Sequence, residues 1–314
     1  MYLRRFADDD FHLIAIPRDN LDQRMTLTVR KAAAEVGFYA IPSDDLEPGA
    51  RGGHDPEVAE NSLAGIEGAC ATHIERILGG EFPPVSDTSR LHLSVFIALQ
   101  YTRGWRFRRD LADIARLTAP AFIRQNVTAE RIRATLEATG RPADPQDVEA
   151  MLARLTGPDG PKPVLRQAMY VQHAIQNAIE VIAPTLLVRR WRLLEFPKPC
   201  LLVSDEPVAV PVIAGRGAAN VPELWFPLDR SHALELALRG SEKLVQAPMS
   251  KARKINKLTA SQAERWIFHH PDDDPLDGLD VSGRTGFIEK VDELVENGEV
   301  VGEVRRVVRG PISD

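Results

Sequence analysis

The stretch Trp191-Arg192-Leu193-Leu194-Glu195-Phe196-Pro197-Lys198-Pro199-Cys200-Leu201-Leu202-Val203-Ser204-Asp205-Glu206-Pro207-Val208 sets two short apolar runs on either side of a Pro-rich turn and closes on an acidic turn. The unbroken apolar run Cys200 to Val203 reads as a strand buried on both faces. Pro207 crowds the backbone of the residue before it and drives Glu206 out of helical geometry, which leaves Ser204 and Asp205 at the mouth of the strand. Strand ends are common places for chemistry. The same run therefore bears on both fold and function.

Working outward, Phe11 to Ile16 and Met25 to Val29 read as strands, with Arg30 to Val36 leading toward Phe38-Tyr39, and Ser43 to Pro56 reads as a mobile surface loop. Helical periodicity follows at Glu60 to Leu78, Thr88 to Arg103, Arg109 to Leu117, Thr128 to Thr139 and Asp144 to Leu155. Gly157 to Pro163 punctuates the chain before a long helix from Val164 to Ala183. Glu223 to Pro227 and Ala233 to Leu238 add apolar runs, and Pro248 to Phe268 reads as a helix with His269-His270 capping its end. Strand candidates on both sides of a helical block predict an α+β fold. The expected architecture is a largely helical single domain, residues 1–271, packed on a mixed or antiparallel sheet drawn from both halves of the chain. Asp272-Asp273-Asp274-Pro275 then opens a linker and C-terminal extension, residues 272–314, with a helix at Gly286 to Asn297 and a strand at Val300 to Val308.

A formal charge of -6 gives no global pull toward nucleic acid or anionic membrane. Arg103, Arg106, Arg108 and Arg109, interleaved with Trp105 and Phe107, form a local basic patch, so nucleic acid ranks lowest among partners. Cys70 and Cys200 are the only cysteines and sit in apolar surroundings, which predicts core thiols and a reducing cytoplasm. No cationic leader opens the chain and no apolar segment runs uninterrupted through membrane length. No Walker loop and no nucleophile elbow occurs.

The informative residues are polar groups on apolar helix faces. Rotating Glu60 to Leu78 at about 100° per residue puts Leu63, Ile66, Cys70, Ile74 and Ile77 on one stripe, with Glu67 inside it and Glu60 at its edge. Gln100 and Arg103 share the sector of Leu93 and Phe96. Asn256 sits at the centre of the inward face of the helix that holds Ile255 and Ala260. A buried carboxylate or guanidinium needs a partner, so Arg103 is expected to clamp Glu67, Asp205 or an anionic ligand. His173, Asn177 and Glu180 form a polar stripe opposite Ile175 and Ile179, read as a solvent-facing side.

Tyr2-Leu3-Arg4-Arg5-Phe6-Ala7, Phe38-Tyr39, Glu60 with Glu67, Phe96-Ile97-Ala98-Leu99-Gln100-Tyr101-Thr102-Arg103, Trp191 with Leu193-Leu194, Ser204-Asp205-Glu206-Pro207-Val208, Trp225-Phe226-Pro227-Leu228 and the helix with Asn256 and Ala263 occur in that order. In this pattern the chain resembles an uncharacterised bacterial family known as domain of unknown function 4238, over roughly residues 1 to 270. The resemblance implies no activity. It does imply a His-His and Pro segment just before the Tyr-Leu-Arg motif, where this sequence has Met1.

The functional expectation is one polar pocket beside the sheet that binds a small anionic or polar ligand. Asp205, Glu67 and Arg103 are the candidate catalytic residues, and Asn256, Gln100, Ser204 and Glu60 the candidate ligand-binding ones. In a hydrolytic version the acidic groups supply a general base or hold a divalent metal, while Arg103 stabilises developing charge. The alternative is a non-enzymatic interaction or regulatory protein in which the same residues knit helices to the sheet. Cofactor identity and oligomeric state stay open at this point.

Overall fold

The apolar run ahead of the acidic turn lies in the core: Cys200 is 8 % exposed, and Leu201, Leu202 and Val203 are fully buried. A buried backbone must still find partners for its N–H and C=O groups. Here most of them come from outside any strand ladder. Cys200 and Leu201 both donate to the Arg230 carbonyl, at 2.8 and 3.0 Å. Leu202 N–H donates to Asn256 Oδ1 at 3.2 Å, and Asn256 Nδ2 donates to the Cys200 carbonyl at 2.7 Å. The expected four-residue strand is consequently reduced to its last residue and the next, Val203–Ser204.

The computed structural model describes residues 2–33, 40–46, 55, 58–83, 86–213, 216–296 and 299–312, without the side chains of 58–60, 87, 293–296 and 299–304. Phe38, Tyr39, most of the Ser43 to Pro56 stretch and the Glu60 side chain lie outside the described residues. The chain divides into two compact units, one from Met1–Arg108, Arg166–Thr285 and Pro311–Asp314, the other from Arg109–Leu165 and Gly286–Gly310. The units interleave along the chain.

The first unit opens with a 3-10 turn, Tyr2–Phe6, and continues through β1 (His12–Pro17), β2 (Met25–Thr28), α1 (Val29–Ala32), α2 (Val58–Leu78) and α3 (Asp87–Thr102). Helix α4 (Trp105–Asn126) starts in this unit, and its later turns, with α5 (Ala129–Ala138) and α6 (Pro145–Thr156), belong to the second. The chain returns to the first unit with α7 (Gln167–Gln176), a π-helical stretch, Asn177–Ile182, and α8 (Ala183–Leu187). Then come β3 (Arg190–Glu195), β4 (Val203–Ser204), β5 (Glu223–Pro227), β6 (His232–Ala237), β7 (Lys243–Gln246), α9 (Met249–Gln262) and β8 (Trp266–His269). Strands β9 (Thr285–Glu296) and β10 (Glu299–Pro311) form a two-stranded sheet.

The fold is α+β. In place of one sheet, the first unit has two four-stranded sheets, ordered β2-β1-β8-β4 and β5-β6-β3-β7. The former is antiparallel and draws on both halves of the chain, with Ile16 opposite Ile267 and Val203 opposite Phe268. The latter is mixed, since β3 runs antiparallel to β6 and parallel to β7. Trp191, Leu193, Leu224, Phe226, Leu234 and Leu236 from this sheet share one core with Cys70, Ile74, Leu93, Phe96 and Ile97 of α2 and α3. Tyr2 closes that core by stacking on Phe226 at 5.0 Å and donating its hydroxyl to the Pro227 carbonyl at 2.7 Å.

Three expected elements differ. The helix expected through Phe268 ends at Gln262, and Trp266–His269 forms a strand instead. Ala263 is already extended, at φ -54° and ψ 137°, and β8 pairs on both edges, gaining ladder bonds that a continued helix would forgo. His269 and His270 thus end a strand rather than cap a helix, with His269 Nδ1 donating to the His270 carbonyl at 2.8 Å. The helix expected at Gly286 to Asn297 is the strand β9, whose backbone pairs with β10. The single helix expected from Val164 to Ala183 is divided into α7 and α8 by the π-helical stretch.

Replacing Asn256 by leucine strands the Leu202 N–H and the Cys200 carbonyl in the core. We expect Asn256→Leu to lower the unfolding free energy by about 2–6 kcal/mol, at about 1–3 kcal/mol for each of the two orphaned groups, as read by urea denaturation.

Candidate functional site

In the first unit, a cavity of about 450 Å³ lies among α1, α2, the α3–α4 turn and the ends of β2, β4 and β8. One part of its wall is apolar, built from Leu3, Leu27, Leu63 and Phe268. Glu67, Gln100, Arg103, Ser204 and Asp205 line it as well, together with the cationic side chains of Lys31 and Arg265. Helical spacing brings Leu63 and Glu67 to the cavity on α2, while the α3 terminus supplies Gln100 and Arg103.

Arg103 is the C-cap of α3 and donates from Nη1 to Glu67 Oε1. This ion pair joins α2 to α3, and its side chains keep 24 % and 30 % exposure, so solvent screens it. Gln100 is 4 % exposed, and its Nε2 has no hydrogen-bond partner among the described residues. Ser204 Oγ donates to the Thr259 carbonyl at 3.3 Å and accepts from Glu206 N–H at 3.1 Å. Its proton is engaged with backbone rather than with a base, an arrangement unlike an activated nucleophile. The thiols are also inert: burial first, with the Glu67 charge adding to it, pushes Cys70 up to about 12, and burial pushes Cys200 up to about 11.

Asp205 holds a strand-to-strand corner. Its carboxyl accepts from the backbone N–H of Glu264 at 3.1 Å, Arg265 at 2.7 Å and Trp266 at 3.4 Å, at the entrance to β8. Burial outweighs the downward pull of these donors and moves Asp205 from 3.8 to about 7, with the Glu264 charge acting in the same direction as burial. Next to it, Glu206 is 5 % exposed, and Oε1 accepts from Arg106 N–H at 2.8 Å in the first turn of α4. Burial and then the Asp205 charge raise Glu206 well above the usual carboxylate range. Gly104 makes the fit: a Cβ there would lie 2.0 Å from Glu206 Oε1.

Five of the seven sequence candidates, Glu67, Gln100, Arg103, Ser204 and Asp205, thus share one cavity wall. Asn256 is absent from that lining, and its amide is occupied by the Leu202 and Cys200 backbone. The Glu60 side chain is outside the described residues. Glu206 and Gly104 were not among the candidates, though the Glu-Pro step and the Arg103-Gly104-Trp105 break between helices mark both in the sequence. The basic patch does not form one open face, because Arg103 is paired, Arg106 is buried and Arg108 Nη1 donates to Gln167 Oε1 at 2.7 Å. Among the described residues no group of three His, Cys, Asp or Glu side chains is arranged to hold a metal ion, and no helix is long and apolar enough to cross a membrane.

Residues 1–273 match the family described as "Protein of unknown function (DUF4238)". The chain belongs to this family. No curated protein and no solved structure matches it. The DUF4238 match ends just beyond β8, so it contains every cavity-lining segment.

Two outcomes follow from the acidic corner of this DUF4238 member. Because Asp205 and Glu206 both sit above their ordinary range, the folded state keeps protons that the unfolded chain has released. The associated stability is present below the ordinary values of 3.8 and 4.5 and is lost as pH rises through about 7 for Asp205 and higher for Glu206. Glu206→Gln is expected to flatten that fall in denaturant unfolding measured between about pH 5 and about pH 8. Gly104→Ala should cost about 1–3 kcal/mol by overpacking. The cost should vanish in a Glu206→Gly background if the clash is with that carboxyl, as a double-mutant cycle would read directly.

Proposed function

We propose that the cavity is a binding site for a small polar or anionic ligand, in a protein of a reducing cytoplasm. The observation that carries this reading is the convergence of Gln100, the Glu67–Arg103 pair, Ser204 and Asp205, from separate stretches of chain, on one cavity with a partly apolar lining. Its volume, about 450 Å³, falls within the range of about 300–1,000 Å³ common for small-molecule sites, where a few polar groups orient a ligand against apolar walls. Lys31, Arg103 and Arg265 favour negative charge on that ligand. In the catalytic form of the proposal, Asp205 titrates near neutrality and exchanges a proton with bound substrate or water, as in hydrolysis, while Arg103 supports developing negative charge.

A second reading, in which these groups only tie helices to the sheet, is favoured by the three backbone donors on Asp205. The two readings separate at Glu67 rather than at Asp205. An Asp205→Asn variant loses carboxylate acceptors from the β8 corner and is destabilised under either reading. Glu67→Gln removes one partner of a partly exposed pair, so its own stability cost is expected to stay within about 1 kcal/mol.

The experiment is a thermal-shift series with nucleoside monophosphates, monocarboxylates and divalent cations on wild type and Glu67→Gln. At saturating ligand, about 100 times Kd, binding adds about 2.7 kcal/mol to stability and raises Tm. We expect at least one anionic class to raise the wild-type Tm and to act differently on Glu67→Gln. A marked loss of Tm in Glu67→Gln with no response of wild type to any class would favour the structural reading.

A further inference from the structure

Helices α2 and α3 are joined by the Glu67–Arg103 pair at the cavity and by a second pair outside its lining. His73 on α2 and His92 on α3 meet ring to ring, with His73 Nε2 lying 3.1 Å from His92 Nδ1. The ring centroids are 5.3 Å apart, about the N···N distance plus the two ring radii, so the nitrogens point at each other and one proton bridges them. The rings are half-buried as a whole, yet the other nitrogen of His73, Nδ1, is buried without a hydrogen-bond partner among the described residues. Beside them Cys70 Sγ donates to the His92 carbonyl at 3.2 Å.

This geometry fixes where protons can go. A neutral pair carries two ring protons, one in the bridge and one outside it. The outer one belongs on His92 Nε2, because on His73 Nδ1 it would be a buried donor without an acceptor. A third proton has no good place. With the bridge intact it must enter His73 Nδ1, as a cationic N–H buried without an acceptor; on His92 Nδ1 it sets two donors face to face and breaks the bridge.

The surrounding charges oppose that proton too. Burial, then His92, then Arg76 one turn further along α2 hold His73 below its ordinary 6.5. The N-terminal turn brings Arg5, which is paired with Glu75, and α3 brings Arg90, which is paired with Glu242. The stretches packed on α3, α7 and the π-helical one, bring His173 and Glu180, and none of these groups acts on the His73 ring.

We propose that the His73–His92 bridge is an acid-sensitive latch between α2 and α3, closed while the pair is neutral and opened by uptake of one proton. Helix α2 carries Leu63, Ala64 and Glu67 to the cavity, so the latch bears on that wall whether or not the cavity takes a ligand. The stability His73 contributes is present above 6.5 and is lost as pH falls through its lowered folded-state value. The acidic corner runs the opposite way, since its contribution is lost as pH rises.

The Cys70 thiol, fully buried at this seam, reads the opening directly. The full chain is treated with a dithiodipyridine reagent, which reacts with thiols in acid, and labelling of Cys70 and Cys200 is resolved by peptide mass spectrometry. We expect Cys70, relative to Cys200, to be trapped about threefold faster or more at about pH 5.5 than at about pH 7.5. The double variant His73→Leu/His92→Leu, an apolar pair with no proton to take up, should lose that gain. On wild type alone, nitrogen NMR of the imidazoles at about pH 7.5 should show both residues with the proton on Nε2. Equal trapping of Cys70 at the two pH values, an acid gain shared equally by Cys200, the same gain in the double variant, or a proton on His73 Nδ1 at the higher pH each overturns the proposal.

Discussion

The first unit depends on satisfying the backbone of residues 200–210 after that segment has been sunk in the core. Its side chains are apolar enough to demand burial, yet only Val203 and Ser204 form a strand, with Ala209 adding a single antiparallel bridge to Trp225. Helix α9 makes up much of the difference with two side chains and one backbone carbonyl. Asn256 serves Leu202 and Cys200, the Thr259 carbonyl receives the Ser204 hydroxyl, and Gln262 bonds both backbone groups of Val210. These three residues recur at helical spacing, so one face of α9 reads the segment almost as a neighbouring strand would. Asn256 and Gln262 are tolerated on an otherwise apolar helix face because the side chain of each has backbone to bind.

That anchoring places the acidic turn. Once Ser204 is held against α9, Asp205 reaches the backbone N–H groups at the start of β8, and Glu206 turns the other way to the first turn of α4. The neighbouring carboxyls therefore tie different elements, β8 and α4, to one strand end. Gly104 permits the second tie by leaving room for the Glu206 carboxyl. The cavity is the space left between this corner, α2 and the N-terminal elements, which is why its wall is polar at the corner and apolar toward Leu3 and Leu27.

Much of the DUF4238 pattern has a structural account in these terms. Tyr2 locks the N-terminal turn to Phe226 and Pro227, and Arg5 donates to the Ala71 carbonyl at 3.0 Å. Trp225 donates from Nε1 to the buried Glu235 carboxylate at 2.8 Å, which also meets Lys251 and Arg192. Gln100 stands apart from these, because it is buried without a partner for its nitrogen.

Apolar periodicity alone determined the α+β class, the extents of α3 and α5 to within a residue or two, and the placing of Glu67 and Arg103 on inward helix faces, since burial imposes the 3.6-residue and two-residue repeats directly on the letters. It misread Trp266 to Phe268 and Phe287 to Val295, where the letters suit a helix and the outcome depends on whether a pairing strand lies alongside. The same limit applies to the polar residues. That Asn256 needed partners was legible in the sequence; that its partners are the Cys200 and Leu202 backbone, while Gln100 faces a cavity, was decided only by tertiary structure. Hydrogen bonds between residues dozens of positions apart are set by how elements pack, and no local pattern encodes that packing.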